Sequence, residues 1–526
     1  MPETSASKVP RLDAARWWRG SIIFLTLGVC FFIVARAATD PDLLGHIRFG
    51  QEILEEGEIP RVDQYSFTSG GQDWINHEWM AEVSFALIYN AFGNFGLHML
   101  RLLVAMTIIV ALYRHSMKSG LEPLRAGILL VLISLLLVNG TVTVRPQLFT
   151  FVFLLLLLLI LSAVERGHRR LVWVIPLIMM AWINFHGGVL AGLVLVAAWM
   201  AGHWLAWLLP DDNVARRDSI GLPLTATAVL ALCPIAMLIN PYGWELLDFL
   251  FETATVSRPD ITEWMPTPMR SRRGRIYLLL TVGSLLALHW TKSKRHPPLL
   301  LVFATIAVLP LLAVRHIPLF GIGVGVLLPV HFASVAYGRA GAEGSVSSGS
   351  GVLRPAMIAV TILTGFMLIT AALPDLRCVK IDGIRSITFP VRAVEWIRRS
   401  EVEGKLATFF DWGEYAIWHL EPSVRVSMDG RRETVYTDSI YDEYLRFRNG
   451  LTGWEDHIDK RGAEMALVSV ETPMFSLMQL KPGWDLMYQD SLSAIFAPTG
   501  SPHAARLAGT PIPTDYPQHG IGYCMP

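Results

Sequence analysis

The sequence predicts a polytopic α-helical membrane protein with about eleven transmembrane helices and a small C-terminal α/β domain outside the cytoplasm. Three observations lead to this fold class. Hydrophobic residues make up 52% of the 526 residues and charged residues only 17%, which is too apolar for an ordinary soluble domain. Long apolar segments recur over most of the chain, and the basic residues between them are concentrated on one side of the membrane.

The apolar segments set the expected number of membrane crossings. A spanning helix needs about 20 predominantly apolar residues, and the two shortest segments are also compatible with a buried position. The segments are 17–37, 95–113, 121–139, 146–164, 171–184, 189–209, 222–239, 276–290, 298–314, 317–337 and 352–373.

The basic residues orient these segments. With the N-terminus inside, the inner segments carry seventeen Lys and Arg, whereas the three short outer turns carry only Arg145 and Arg315. An odd number of spans then places everything after residue 373 outside. The first span is also compatible with a cleaved signal peptide, but we favour a retained anchor because Asp40 and Asp42 would otherwise lie on a loose terminus.

The predicted regions are a cytoplasmic tail 1–16, a membrane domain 17–373 with outer loops 38–94 and 240–275, an inner linker 340–351, an outer α/β domain 374–498 and a disordered tail 499–526.

The charge and cysteine content exclude some classes of protein. The formal net charge is zero, so the chain has no overall basic field that would favour nucleic acid. Its four cysteines lack metal-binding spacing such as CxxC. Cys378 and Cys524 both fall in the predicted outer region, where they are able to pair, although two unrelated free thiols are the favoured interpretation.

The first outer loop begins with an acidic motif. "ATDPDLLGHIRFG" follows the first apolar segment directly, and its apolar spacing predicts a surface helix that ends at Gly57. A second apolar helix follows, with Glu78 and Glu82 one turn apart on one face. Taken alone, Asp40 and Asp42 are compatible with helix capping and the other acids with a water-exposed surface.

Basic and imidazole side chains recur at the same outer boundary, where short turns usually avoid arginine. Arg101 falls about 9 Å inside its span at about 1.5 Å per residue, a depth that calls for a polar cavity or partner. Each residue alone also suits an anchoring or packing role, but together they predict one outer cavity, lined by Arg36, His46, Arg48, His77, Arg101, Arg145, His186, Arg315 and His316.

Such a cavity suits transfer from a lipid-linked phosphate. The guanidinium group matches phosphate oxygens, and a carboxylate is able to act as general base toward a hydroxyl. Arginines or a metal ion would then neutralise the departing phosphate. Asp40 and Asp42 are therefore candidates for the base or for ligands of a divalent metal such as Mg²⁺ or Mn²⁺.

The layout of the chain resembles the GT-C superfamily of integral-membrane glycosyltransferases: an acidic motif just after the first span, two membrane-surface helices, many further spans and an exported C-terminal domain. Within it the chain is most similar to bacterial relatives of the protein O-mannosyltransferases and of the aminoarabinose transferases that modify lipid A. Several stretches, taken in order, resemble one bacterial branch of this superfamily. The stretches are "DPDLLGHIRFGQEILEEGEIPRVDQYSFTSGGQDWINHEW", "VRPQLFTFVF", "WINFHGG", "INPYGWELL", "ITEWMPTP", "VRHIPLF", "FDWGEYAIWHL" and "DGRRETVY".

The resemblance implies an enzyme of the cytoplasmic membrane that takes a polyprenyl-phosphate sugar as donor and inverts the anomeric centre. It places the family's first-loop acid on Asp40 or Asp42. The turn "NGTVTVRP" lacks the second acid that some families carry there, and Glu78 is a candidate for that role. The general base thus stays open among three residues, and so does the need for a metal.

The region after residue 373 alternates strand-like and helix-like stretches, which predicts a mainly parallel sheet. Its Asp429, Arg431 and Arg432 lie near a strand end, where such sheets often place ligands, but a salt-bridged turn that docks the domain explains them equally.

Two other functions fit parts of the pattern. A transporter or flippase for a lipid-linked or anionic substrate would also need buried charges, but transporters tend to have internal repeats and sites at the bilayer midplane. Here the ionisable residues gather at one boundary and the sequence shows no repeat. A non-catalytic assembly partner with the same fold is the third interpretation.

Overall fold

The computed structural model describes residues 14–209, 220–256, 261–340, 353–381, 388–517 and 523–526. Most of the predicted cytoplasmic tail and of the predicted linker 340–351 lies outside the described residues. The apolar part contains the helices α1 (Ala14–Ala35), α2 (Leu43–Glu56), α3 (Trp79–Lys118), α4 (Pro123–Thr141), α5 (Gln147–Glu165), α6 (Ile175–Ile183), α7 (Val189–Leu208), α8 (Gly221–Met237), α9 (Trp244–Thr255), α10 (Arg272–Trp290), α11 (Pro297–Leu312), α12 (Ile317–Leu327), α13 (Pro329–Ala340) and α14 (Leu353–Ala372).

The chain is a multi-pass membrane protein, since several of these helices are long and apolar enough to cross a bilayer. Six described helices meet that test, or seven if α12 and α13, which meet at a 54° bend, are one broken span. All eleven predicted segments fall on helical stretches, but α8 and α11 are shorter apolar helices and α6 has nine residues. The count of eleven crossings stays a prediction.

The first outer loop contains the two predicted surface helices. The first, α2, ends at Gly57, as predicted, because this glycine adopts the left-handed conformation (φ 74°) that stops the helix. The second runs into the next span: α3 is continuous from Trp79 to Lys118 except for a kink at Gly93 (φ 59°, ψ −156°). A glycine permits this conformation, so it marks where the surface helix turns into the membrane.

Residues 388–517, which we call the C-terminal domain, fold around one five-stranded sheet of order β2-β1-β3-β5-β4. β1 pairs in parallel with β2 and β3, whereas β5 pairs antiparallel with β3 and β4. We expected a mainly parallel sheet; it is mixed because β4 and β5 are joined by a short turn. The elements are α15 (Val391–Ser400), β1 (Gly404–Ala407), α16 (Phe410–Leu420), β2 (Val424–Val426), α17 (Arg432–Val435), α18 (Asp438–Asn449), α19 (Asp456–Asp459), β3 (Met465–Ser469), α20 (Pro473–Leu480), β4 (Trp484–Gln489), β5 (Ser493–Pro498) and α21 (Pro502–Gly509).

The first outer loop extends this sheet at its β2 edge. The backbone N–H of Phe67 donates to the Val426 carbonyl (3.0 Å), and the Val426 N–H donates to the Tyr65 carbonyl (3.1 Å). The Thr68 hydroxyl adds a bond to the Ser427 carbonyl (2.6 Å). Because these bonds pair an otherwise open sheet edge, the domain is held directly against the loop that carries the acidic motif.

A disulfide joins Cys378 to Cys524, two cysteines for which the sequence favours free thiols, and the described part of the predicted disordered tail contains a helix. Cys378 and Cys524 are bonded across 146 residues of sequence, and α21 lies within the predicted tail. The Lys380 carbonyl, two residues from Cys378, accepts a hydrogen bond from the hydroxyl of Thr39 (2.7 Å). The disulfide therefore secures the chain end beside the residue that precedes Asp40.

Removing this disulfide should destabilise the protein. Replacing both cysteines by Ser is expected to lower the free energy of unfolding by about 2–4 kcal/mol, because the bond closes a long loop in the unfolded chain. Thermal unfolding of the purified protein, with and without reductant, measures the loss. Reductant should have no effect on the double variant, and equal midpoints for wild type and variant would contradict the prediction.

Candidate active site

The acidic motif opens into a cavity of about 660 Å³ between the membrane helices and the C-terminal domain. Its walls come from the first outer loop, from the predicted outer ends of several membrane helices and from residues 410–448, which we call the domain side of the cavity. The charged and imidazole side chains that line it are Asp42, His46, His77, Glu78, Glu82, Arg145, His186, Glu263, Arg315, His316, Asp411, Glu414, Arg431, Arg432, Glu433 and Arg448.

Arg145 lies at the centre of a carboxylate cluster. Its Nε donates to Asp40, its Nη2 lies 3.3 Å from Asp42 Oδ2, and its Nη1 lies 3.0 Å from Glu263 Oε2. Asp40 is 1% exposed and stands behind the cavity wall. The sequence predicts that Arg145 binds phosphate, but in the structure three carboxylates already share its donors, because a largely buried arginine needs partners.

Asp42, unlike Asp40, lines the cavity. One of its oxygens, Oδ1, is buried and has no hydrogen-bond partner among the described residues. The backbone of Gly430 approaches so closely that an added Cβ would lie 2.5 Å from this oxygen. Burial, and then the adjacent Asp40 carboxylate, raise the pKa of Asp42 to about 7 against the opposing charge of Arg145. Such a carboxyl group is able to accept or release a proton near neutral pH.

Glu78 lies among three imidazole rings. The Nε2 atoms of His46, His77 and His186 lie 3.8, 3.7 and 3.6 Å from its carboxylate oxygens. Burial raises the pKa of Glu78, but His77 and His46 outweigh it and hold the pKa below its usual range. Glu78 is therefore an ionised carboxylate in a polar wall of the cavity.

The tautomer of His186 follows from its neighbours. Its Nδ1 accepts from the backbone N–H of Gly188 (2.8 Å), so the proton of the neutral ring resides on Nε2 and points to Glu78. His46 differs because its Nδ1 lies 3.1 Å from Glu82 Oε1. Burial alone would lower its pKa, but Glu82 and Glu78 raise it to about 9, so His46 carries a positive charge at neutral pH.

Arg315 and His316 come from the turn between α11 and α12. The Arg315 guanidinium stacks over the Trp264 ring (4.3 Å to the centroid) and forms no ion pair among the described residues. His316 donates from Nδ1 to the Leu309 carbonyl (3.0 Å), which leaves Nε2 as an acceptor. Arg315 is thus an available cation at the membrane end of the cavity.

Three of the predicted site residues lie elsewhere. Arg36 is exposed on the end of the first helix, and Arg48 pairs with Glu421 (2.7 Å) because it points along α2 toward the C-terminal domain. Arg101 is fully buried and donates to the carbonyls of Thr141 (2.5 Å) and Ala35 (2.7 Å). These carbonyls belong to the last residues of two neighbouring helices, so Arg101 links the two helix ends by hydrogen bonds and does not face the cavity.

Several cavity residues were not predicted from the sequence. Glu263 and Trp264 come from "ITEWMPTP", and Asp411 and Glu414 from "FDWGEYAIWHL", stretches that we noted only for their resemblance. Glu414 Oε2 accepts from the backbone N–H of Gly45 (3.1 Å), which fastens α16 to the acidic motif. Arg448 on the domain side was not predicted either, whereas Arg432 and Arg431 beside it belong to the strand end at which the sequence predicts either a ligand site or a docking turn.

The described residues do not form a metal site in this arrangement. No group of three or more His, Cys, Asp or Glu side chains among them is placed to hold a metal ion. The Arg145 guanidinium is the cation that contacts both Asp40 and Asp42. We therefore derive no step of the chemistry through a metal.

Comparisons with known proteins address the fold. No protein-family model and no curated protein sequence matches the chain. Among solved structures, the archaeal oligosaccharyltransferase AglB from Archaeoglobus fulgidus matches with a TM-score of 0.57 and 12% identity, over 88% of this chain and 70% of AglB. ArnT from Cupriavidus metallidurans matches with a TM-score of 0.47 and 13% identity, over 92% and 98% of the two chains. The likeness to AglB covers most of the chain, and it shows that this membrane protein shares the fold of AglB, as the resemblance to the GT-C superfamily predicts.

Proposed function

We propose that the protein is a membrane glycosyltransferase that moves a sugar from a polyprenyl-phosphate donor to an acceptor outside the cytoplasm. The observation that carries this proposal is the position of Asp42: its carboxyl group, which is 22% exposed and has no partner among the described residues at its buried Oδ1, lines the same cavity as the available cation Arg315. The solved complex of AglB contains a dolichol-phosphate, which is the kind of leaving group that such a cavity suits. The acceptor is a glycan, a lipid or a protein.

The reaction is a displacement at the anomeric carbon. The Asp42 carboxylate takes the proton from the acceptor hydroxyl, and the acceptor oxygen bonds to the anomeric carbon from the face opposite the phosphate. The bond between that carbon and the phosphate oxygen breaks, and polyprenyl phosphate leaves with both bonding electrons. Arg315 neutralises the charge that develops on it.

The other site residues hold this arrangement in place. Asp40 and Glu263 bind Arg145, and Arg145 contacts the second oxygen of Asp42, so we assign Arg145 and Asp40 as positioning residues. Glu78 is the second candidate base, but its low pKa makes it a weaker proton acceptor than Asp42. His46, His77 and His186 support Glu78, and His316 adds an acceptor beside Arg315.

The proposed location is the cytoplasmic membrane, with the N-terminus inside and the C-terminal domain outside. The disulfide supports this orientation, because such bonds persist in oxidising compartments and are rare in the cytosol.

The pKa of Asp42 predicts the pH dependence of the reaction. A general base works only when it is deprotonated, so kcat/KM should rise about tenfold per pH unit below about pH 7 and level off above it. Steady-state rates between about pH 5.5 and about pH 8.5 measure this rise of kcat/KM with pH. A rate that is constant or falls across this range would contradict the role of Asp42 as the base.

The proposal is tested with purified protein in lipid nanodiscs and a panel of polyprenyl-phosphate sugars. We expect at least one donor to release polyprenyl phosphate. The same protein in vesicles should leave the rate at which a labelled lipid-linked sugar crosses the bilayer unchanged. Transbilayer movement without release from any donor would favour the transporter interpretation.

A further inference from the structure

The arginines that line the cavity fall into two groups. Arg145 is neutralised by three carboxylates, and Arg431 by Asp63 and Asp429. Among the described residues, by contrast, the remaining three form no ion pair: these are Arg315, Arg432 and Arg448. The cavity thus offers cations beyond the one that the donor phosphate uses.

Arg432 stacks on an aromatic ring of the domain and has one N–H donor without a partner in the described part of the chain. Its guanidinium carbon lies 3.7 Å from the centroid of the Tyr441 ring, so the planar group stacks on the ring. Its Nε is buried and has no hydrogen-bond partner among the described residues. A buried donor without a partner is costly, and an anion in the cavity would satisfy it.

Arg448 lies on the same side of the cavity as this stack. Tyr441, Tyr444 and Arg448 all belong to α18 and are three or four residues apart, which places them along one face of the helix. Asp411 is the acidic group that interacts with Arg448 electrostatically, but the two form no ion pair in the described part of the chain. One face of α18 therefore presents an aromatic platform and a cation to the cavity.

These two arginines line the same cavity as Arg315 but belong to a different part of the chain. Arg315 belongs to the turn between two membrane helices, and the phosphate of a lipid donor is restricted to that end because its polyprenyl chain stays in the bilayer. Arg432 and Arg448 belong to the C-terminal domain, on the side from which a water-soluble or surface-bound acceptor arrives.

We infer that Arg432 and Arg448 form a second anion subsite, which binds a phosphate or carboxylate group of an acidic acceptor. The inference rests on the proposed function and adds the chemical class of the acceptor. Arginine suits the task because its planar fork of N–H groups matches the oxygens of both anions.

The test uses full-length protein in nanodiscs of neutral lipid that is first saturated with undecaprenyl phosphate. Inorganic phosphate is then titrated calorimetrically into wild type, Arg432→Gln, Arg432→Lys and Arg448→Gln. Arg446→Gln is the matched control, because Arg446 is exposed on α18 and does not line the cavity. Affinity for undecaprenyl phosphate is measured on every variant.

We expect both Gln variants to bind inorganic phosphate at least tenfold more weakly than wild type, Arg432→Lys to be intermediate, and the control to match wild type. Undecaprenyl phosphate should bind all of them equally. Unchanged phosphate binding in both Gln variants would overturn the inference. Loss of undecaprenyl phosphate binding in these variants would also overturn it, because the two arginines would then belong to the donor site.

Failure of the proposed function gives a different result. If wild type does not bind undecaprenyl phosphate, yet inorganic phosphate binding still depends on Arg432 and Arg448, the anion subsite stands and the donor assignment falls.

Discussion

Replacing Asp42 with Asn should lower kcat for release of polyprenyl phosphate by about 10²- to 10⁴-fold, the usual contribution of a general base. Asparagine has the same shape but cannot accept the proton of the acceptor hydroxyl. The fold should survive, because Arg145 keeps its contacts with Asp40 and Glu263. Release rates and thermal unfolding, measured on the same preparations, separate the loss of chemistry from a loss of structure.

Two other Asn variants serve as comparisons. Asp73→Asn changes an exposed aspartate of the same loop outside the cavity and should behave as wild type. Asp40→Asn should mainly destabilise the protein, because it leaves part of the charge of Arg145 unpaired in a buried position. Normal turnover by Asp42→Asn, with loss of turnover in a stably folded Asp40→Asn protein, would reverse the assignment of the two aspartates.

Replacing Arg431 with Met should cause the largest loss of stability. Its guanidinium lies 2.7 Å from Asp63 and 2.8 Å from Asp429, whose side chains are both 0% exposed. It is also stacked between the rings of Phe49, Tyr65 and Trp74 of the first loop, at 4.7 to 5.0 Å. Removing the cation leaves two buried carboxylates, for which we expect a loss of about 3–5 kcal/mol.

Thermal unfolding measures this effect, and limited proteolysis shows whether the C-terminal domain is released from the loop. Arg446→Met is the matched control on an exposed position of the same domain. Adding Asp63→Asn and Asp429→Asn to the Arg431→Met protein should restore part of the stability, because it removes the unpaired charges. An unfolding midpoint equal to that of wild type would contradict the role of Arg431 as the link between loop and domain.

Local features of the fold were predictable because their signals lie within a few residues. The apolar segments predicted the membrane helices, because the length and hydropathy of a segment are read from its own residues. Gly57 predicted the end of the first surface helix, because a glycine in the left-handed conformation stops a helix at its own position. The disulfide was not predictable in the same way. Cys378 and Cys524 are 146 residues apart, and only the folded chain brings them together.

The site was predictable on its membrane side only. Asp42, Glu78, His46 and Arg315 share the cavity because the boundary of the bilayer collects charged residues at one depth. The same reasoning wrongly placed Arg101 in the cavity. The depth of an arginine in the membrane does not tell whether it lines a cavity or donates to carbonyls at helix ends, as Arg101 does.

The domain side depends on tertiary docking that no local pattern reveals. Gly45 lies against Glu414, and a Cβ atom added to Gly45 would lie 2.1 Å from the Glu414 carboxylate. The two segments therefore pack this closely only because residue 45 has no side chain. In the sequence, the two residues are separated by most of the chain, so their contact was not predicted.

The measurement that tests the central claim most directly counts two products of one reaction. Wild type and Asp42→Asn proteins are given a polyprenyl-phosphate sugar and an acceptor fraction of the cell envelope, and both polyprenyl phosphate and new glycoside are quantified. We predict that wild type forms the two in equal amounts and that the variant forms almost none of either. If wild type turns over no donor, while a labelled lipid-linked sugar crosses the bilayer equally fast with both proteins, the claim of sugar transfer is contradicted.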